Sequence, residues 1–130
     1  MATWKDIDEV VAALPATEQA TAYGYRAWRV KKRMLAWERP LRKADLEALG
    51  DAAPPGDILG LRTADVADAE ELIAAFPEVF FTVPHFDGSP AVLARLAPLP
   101  VDVLRTLVEA EWRRSAPKRV VAAFLAEGSG

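Results

Sequence analysis

The chain contains no cysteine. A disulfide framework and a thiolate zinc site are therefore excluded, and nothing argues for secretion. Histidine is nearly absent too: His85 is the single one among 130 residues. A metal site needs three or four converging ligands, and one histidine with scattered carboxylates supplies no recognisable set. Glu70 and Glu71 could hold magnesium, but a solvated helix face accounts for them better. Neither GxxxxGK[ST] nor GxGxxG occurs, which argues against nucleotide-driven chemistry. No apolar run nears the ~20 residues of a membrane helix; "AVLARLAPLPV" is broken by Arg95 and two prolines. The N-terminus, "MATWKDIDEV", is charged and periodic rather than a signal peptide, so a cytoplasmic protein is expected.

What is present describes an ordinary globular domain, 52% hydrophobic and 27% charged. A chain of this length buries enough apolar surface to fold without staples. One domain over residues 1–126 is expected, with "EGSG" (127–130) as a frayed, disordered tail. The net charge of −3 conceals a segregation. Residues 26–43 carry eight cations against one acid, Glu38, whereas residues 44–112 carry thirteen acids against three arginines. Because fields act locally, a basic segment on an acidic protein still attracts polyanions. A pI near 5.2 nevertheless speaks against strong non-specific nucleic-acid binding.

Hydrophobic spacing sets out the elements. "TWKDIDEVVAALP" is a helix with Thr3 as N-cap, Asp6 completing a capping box, and a stripe of Trp4, Ile7, Val10, Val11 and Leu14. "AWRV" and "RMLAWE" form a hairpin around Lys31-Lys32; two lysines suit a two-residue turn poorly, so a longer or irregular tip is expected. "KADLEAL" has the makings of one or two helical turns within an insertion. "ILGLRT" reads as a strand, and "TADVADAEELIAAFP" as a helix burying Val66, Ala69, Leu72, Ile73 and Phe76. "EVFFTV" and "AVLARLA" are strands flanking a Pro-Asp-Gly turn. A long helix with Leu104, Leu107, Val108 and Trp112 inward follows. A last helix, capped by Ser115, buries Val120, Val121, Phe124 and Leu125. The expected fold is α+β and two-layered: about five largely antiparallel strands, helices on one face, order α-β-β-β-α-β-β-α-α.

Two constellations carry candidate chemistry. In "VPHFDGSPA", His85 and Asp87 lie two apart, a spacing that lets a carboxylate orient an imidazole, and Ser89 supplies a hydroxyl. Triads converge from separate elements and need an oxyanion hole, so one short loop is a poor catalyst. The plainer reading is a bend in which Asp87 bonds backbone amides, Gly88 takes a positive φ, and prolines fix the ends. A third reading makes His85, Asp87 and Trp112 the border of a ligand pocket. The second constellation is the basic hairpin. Arg26, Arg29, Lys31, Lys32, Arg33 and Arg39, interleaved with Tyr23, Tyr25, Trp28 and Trp37, could contact phosphates and stack on bases. Its plainer reading is a solvated sheet edge over core tryptophans. Arg113, Arg114, Lys118 and Arg119 either extend that patch or favour the end of the preceding helix.

"PEVFFTVPHFDGSPAVLARL" followed by "EAEWRRSAPKRVVAAF" resembles the MmcQ/YjbR family of small bacterial proteins, as does the early "LPATEQATAYGYRAWRV". The matching residues are Pro84, His85, Asp87, Gly88, Pro90, Trp112, Ala116, Pro117, Lys118 and Arg119. The sequence departs at Ser89, where an aromatic is usual, and at Lys31-Lys32, where a glycine turn is common. The resemblance implies a compact α+β fold, frataxin-like or secretion-chaperone-like, and a double-wing DNA-binding label that rests on fold analogy. It implies no enzymatic activity, catalytic residue or cofactor. Two functions are carried forward: DNA binding through the basic hairpin, or a protein- or small-ligand-binding module with a groove near His85, as monomer or homodimer. Neither requires a membrane.

Overall fold

The computed structural model describes residues 2–128. Helix α1 (Trp4–Ala12) starts where the sequence places it. The Thr3 amide donates to Asp6 Oδ2 at 2.8 Å and the Asp6 amide to Thr3 Oγ1 at 3.3 Å, a reciprocal capping box. Strand β1 (Thr17–Ala22) turns through Tyr23 (φ 54°) and Gly24 (φ 82°) into β2 (Tyr25–Val30). A two-residue turn with both φ positive matches the twist of the strands it joins. Strand β1 was absent from the expected order because "TEQATA" has only two alanines among polar residues, with no apolar alternation to read.

Strand β2 continues into β3 (Arg33–Glu38) through Lys31 (φ 51°) and Lys32 (φ 68°) alone. The expected longer tip is thus corrected: the lysines themselves form a tight turn, each in the left-handed region that disfavours a side chain. Register shifts within this hairpin, from Trp28↔Ala36 to Arg29↔Met34, leaving Leu35 as an extra residue on β3. That bulge explains why Leu35 and Ala36, although consecutive, are both fully buried.

A polar connection leads through α2 (Lys43–Leu49) and a short 3-10 turn to β4 (Ile58–Arg62). Then come α3 (Val66–Ala75), β5 (Phe80–Phe81), a 3-10 turn at Pro84–Phe86, β6 (Ala91–Arg95), α4 (Val101–Ser115) and α5 (Lys118–Gly128). The sheet is six-stranded and antiparallel in the order β1-β2-β3-β4-β6-β5. The class agrees with expectation; β1 and α2 are the elements added. Ser115 does not cap α5, since it closes α4 and donates its hydroxyl to Glu111 Oε2 at 3.0 Å. Helix α5 includes Glu127 and Gly128, and the remainder of the expected tail, residues 129–130, lies outside the described residues. None of the described helices is long and apolar enough to cross a membrane.

Most of the core lies between one sheet face and α1, α3, α4 and α5. Trp28, Val30, Leu35, Leu59, Leu61, Val92 and Ala94 meet Ile7, Val11, Leu104, Val108 and Trp112 there. The two buried indoles find acceptors for their N–H groups, Asp8 Oδ1 for Trp28 and the Pro15 carbonyl for Trp112, each at 2.9 Å. The opposite face is not bare, which corrects the one-sided expectation. Ile58, Phe81, Val83 and Leu93 form a second cluster there, covered by Leu41, Leu49 and Phe86 from the insertion and the Pro84–Phe86 turn. That cover is partial, and what it leaves open is the site.

Candidate functional site

Alternation along β3, β4 and β6 puts Met34, Trp37, Gly60, Arg62 and Ala91 on the half-covered face. Trp37 and Gly60 are register partners. A β-carbon on Gly60 would lie 2.3 Å from the Trp37 ring, so the absent side chain is what lets the indole lie flat on the sheet. Phe86 leans over it with ring centroids 6.2 Å apart and an interplanar angle of 40°. His85 packs edge-on against Phe86 at 4.8 Å, and the Arg39 guanidinium carbon lies 5.3 Å from the same ring. Together with Tyr25, Pro40 and Pro90 these residues line a groove of about 470 Å³. That volume is within the range of small-molecule sites.

The electrostatics of the groove depart from those of the chain. Its charged lining is Arg26, Arg39, Arg42 and Arg62 against Glu38. Arg39 is 4% exposed. Its Nη1 donates to Asp45 Oδ2 at 3.0 Å and to the Pro40 carbonyl, while Nη2 is buried with no acceptor. Burial alone would raise the Asp45 carboxyl, but the Arg42 amide and the Arg39 guanidinium outweigh it and hold the carboxyl below its ordinary range. Arg62 Nε donates to the Met34 carbonyl at 3.2 Å, and its two terminal nitrogens meet no partner among the described residues. The indole N–H of Trp37, unlike those of Trp4, Trp28 and Trp112, meets no acceptor among the described residues.

The 84–90 loop reaches this groove through His85, Phe86, Ser89 and Pro90. Asp87 points elsewhere, exposed and unbonded to His85, so the His–Asp pairing is not formed. Nor does Asp87 bond amides as the plainer reading held. The bend is closed by main chain, with Asp87 N donating to Pro84 O and Ser89 N to Phe86 O, and Gly88 sits at φ 77°. Trp112 is not a pocket residue either. It is fully buried on the helix face and edge-packed on Phe124. No group of three or more His, Asp or Glu side chains among the described residues could hold a metal ion.

Half of the basic residues singled out are neutralised in place. Arg29 pairs with Glu18 at 2.7 Å, Arg39 with Asp45, and Arg113 with Glu109 at 3.2 Å. Arg33 and Arg114 share the buried Glu111, at 3.7 and 2.7 Å. Arg26 lies over the Trp4 ring at 5.3 Å. Arg39, being buried, is no part of a phosphate-facing ribbon. Lys31, Lys32, Lys118 and Arg119 have no ion-pair partner within the described residues. The shared Glu111 brings Arg33 of the hairpin and Arg114 of α4, one from each basic cluster, to the same carboxylate.

Gly60, Arg62 and Met34 were not among the expected site residues. One signal pointed to them: an isolated glycine inside "ILGLR" marks close approach of another group to the strand. What approaches it belongs to tertiary register.

The comparisons with known proteins fit this architecture. The chain is 50% identical over 129 residues to the uncharacterized proteins Mb2600 of Mycobacterium bovis and Rv2570 of Mycobacterium tuberculosis, covering 97% of this chain and 98% of each relative. The crystal structure of Deinococcus radiodurans protein DR2400 is similar in fold, with a TM-score of 0.63 and 22% identity. That match covers 86% of this chain and 77% of the other. The YjbR family model matches residues 12–114. With that span inside one sheet and its helices, the chain belongs to the YjbR family, also called MmcQ/YjbR.

Proposed function

We propose that this protein is a non-enzymatic binding module whose ligand is a small molecule seated in the open-face groove. The observation that carries the reading is the Trp37 indole laid on Gly60. Putting a large ring flat on a sheet and removing the one β-carbon beneath it builds a floor rather than filling a core. The single histidine enters this reading as a buttress for Phe86, not as an acid or base. The test is an NMR titration with three ring probes: 2-naphthylmethanol, 2-naphthoate and 2-naphthyl phosphate. Ligand entry is expected to shift the Trp37 indole N–H and the Gly60 and Phe86 amides while leaving Val108 on the helix face unmoved. If none of the three moves the groove resonances, the reading is wrong.

A second reading, DNA contact at the hairpin tip, is favoured by one observation. Lys31 and Lys32 occupy left-handed conformations that asparagine and glycine adopt at lower cost. Holding two unpaired cations there, beside Arg33 and the α4 end, suits contact with phosphates. Replacing both (Lys31→Asn with Lys32→Gly) keeps the turn and removes the charge. A mobility shift of a duplex at low salt is expected with the parent protein. In the variant the slope of log affinity against log salt should fall by about 2. A parent protein that shifts nothing at low salt ends this reading.

A further inference from the structure

We infer that the groove selects an organic anion carried on a flat ring, an aromatic carboxylate or phosphate rather than a neutral aromatic. The inference rests on the groove being a ligand site, and three features of its lining give the ligand class.

The first is a surplus of hydrogen-bond donors. Trp37 Nε1, Arg39 Nη2 and the terminal nitrogens of Arg62 all lack acceptors among the described residues. The lining's single carboxylate, on Glu38, already accepts the Arg26 amide at 3.2 Å. Indole and guanidinium groups donate and do not accept, so the complementary group must bring lone pairs. The second is charge. Arg39, Arg42 and Arg62 line the groove of a protein whose net charge is −3, whereas the Arg26 guanidinium lies over Trp4. Asp45 pairs with Arg39 Nη1, and Arg42 and Arg62 have no ion-pair partner among the described residues. An anion accepts shorter and stronger bonds from these groups than a neutral oxygen does. The third is shape. Trp37 and Phe86 form a tilted aromatic corner, with Met34, Pro40 and Pro90 around it, a surface that takes a ring against its face.

Carboxylate and phosphate share this chemistry, and the probe titration separates them as well as testing the inference. Both naphthyl anions carry the ring of 2-naphthylmethanol, so the ratio of affinities isolates the headgroup. At least one anion is expected to bind tenfold or more tightly than the alcohol, and the tighter one names the headgroup. The Arg62→Gln variant should lower the anion's affinity to that of the alcohol, with a much smaller change in the alcohol's; Arg42→Gln should do so in part. Each variant's melting temperature, close to the parent's, certifies its fold. Should the alcohol bind as tightly as both anions, the inference is overturned while the groove remains a site. An anion advantage that survives in the Arg62→Gln, Arg42→Gln double variant also overturns it. Silence from all three probes instead removes the underlying reading.

Discussion

The two faces of one sheet solve opposite problems with the same residue types. On the helix face, Trp28 and Trp112 are wholly covered, and each indole N–H is bonded. The buried Glu111 there gathers Arg114, Ser115 and Arg33, so even a charge taken out of water is surrounded by donors. On the other face, Trp37 is half-covered with a free N–H, and Arg39 is buried with a nitrogen left over. Folded proteins rarely leave buried donors unmatched, and each one costs roughly 1–3 kcal/mol. The contrast teaches where to look for function. A face that closes its own hydrogen-bond account is scaffold, and one that leaves it open is waiting for something.

The strongest way to break this contrast is at Asp45, the one place where the open face does complete a buried pair. Asp45→Asn leaves the Arg39 guanidinium buried without its counter-charge and should cost about 3–5 kcal/mol in urea unfolding at neutral pH. The carboxyl is held below its ordinary value of 3.8 in the folded state. Its contribution is therefore complete above that value and disappears as pH falls through the lowered one. The parent should lose this increment on acidification, and the variant, having none to lose, should show a flatter acid limb. Equal acid limbs would count against the pair as a stabilising element.

Next in size is Gly60→Ala. The added methyl lands on the Trp37 ring and should destabilise by about 1–3 kcal/mol, as overpacking does. In a Trp37→Ala background the same methyl should cost little, a coupling that a double-mutant cycle measures. Additive effects would show that the indole does not rest on the glycine. The smallest effect belongs to the hairpin tip. Lys31→Asn with Lys32→Gly relieves two left-handed lysines and should raise stability by about 1–2 kcal/mol, while taking away the tip's charge. A gain in melting temperature with lost polyanion binding would sharpen the view that the turn gives up stability for its cations.

Much of the scaffold was legible in the chain, and the reasons are local. The Thr3–Asp6 box, the Pro77 stop after α3 and the apolar stripe of α4 are signals written within a few residues. Strand β1 was not legible, because an edge strand without apolar alternation gains its conformation from pairing with β2 rather than from its own pattern. The tip was misread for a related reason: turn chemistry disfavours Lys-Lys, and the pairing on both sides imposed it. Of the site, His85 was flagged, but beside the wrong partners. Asp87 is its neighbour in sequence; Trp37, Arg39 and Arg62 surround its loop only after β3, β4 and β6 are laid side by side. Charge pattern failed in the same way, since counting cations from 26 to 43 cannot reveal that Glu18, Asp45 and Glu111 fold back to meet them.

The single extra residue on β3 binds two surfaces to a common fate. With Leu35 tucked inward as the odd member, Arg33 reaches toward Glu111 while Met34 turns to the other side and lends its carbonyl to Arg62. Were Leu35 instead to take a regular place in the ladder, the parity of everything toward the tip would reverse. The arginine would then be sent to the aromatic floor and the methionine to the helices. The lysine-tipped hairpin and the Trp37 groove are thus not independent modules that drift could alter separately; one irregular step in the ladder sets which side chains each receives.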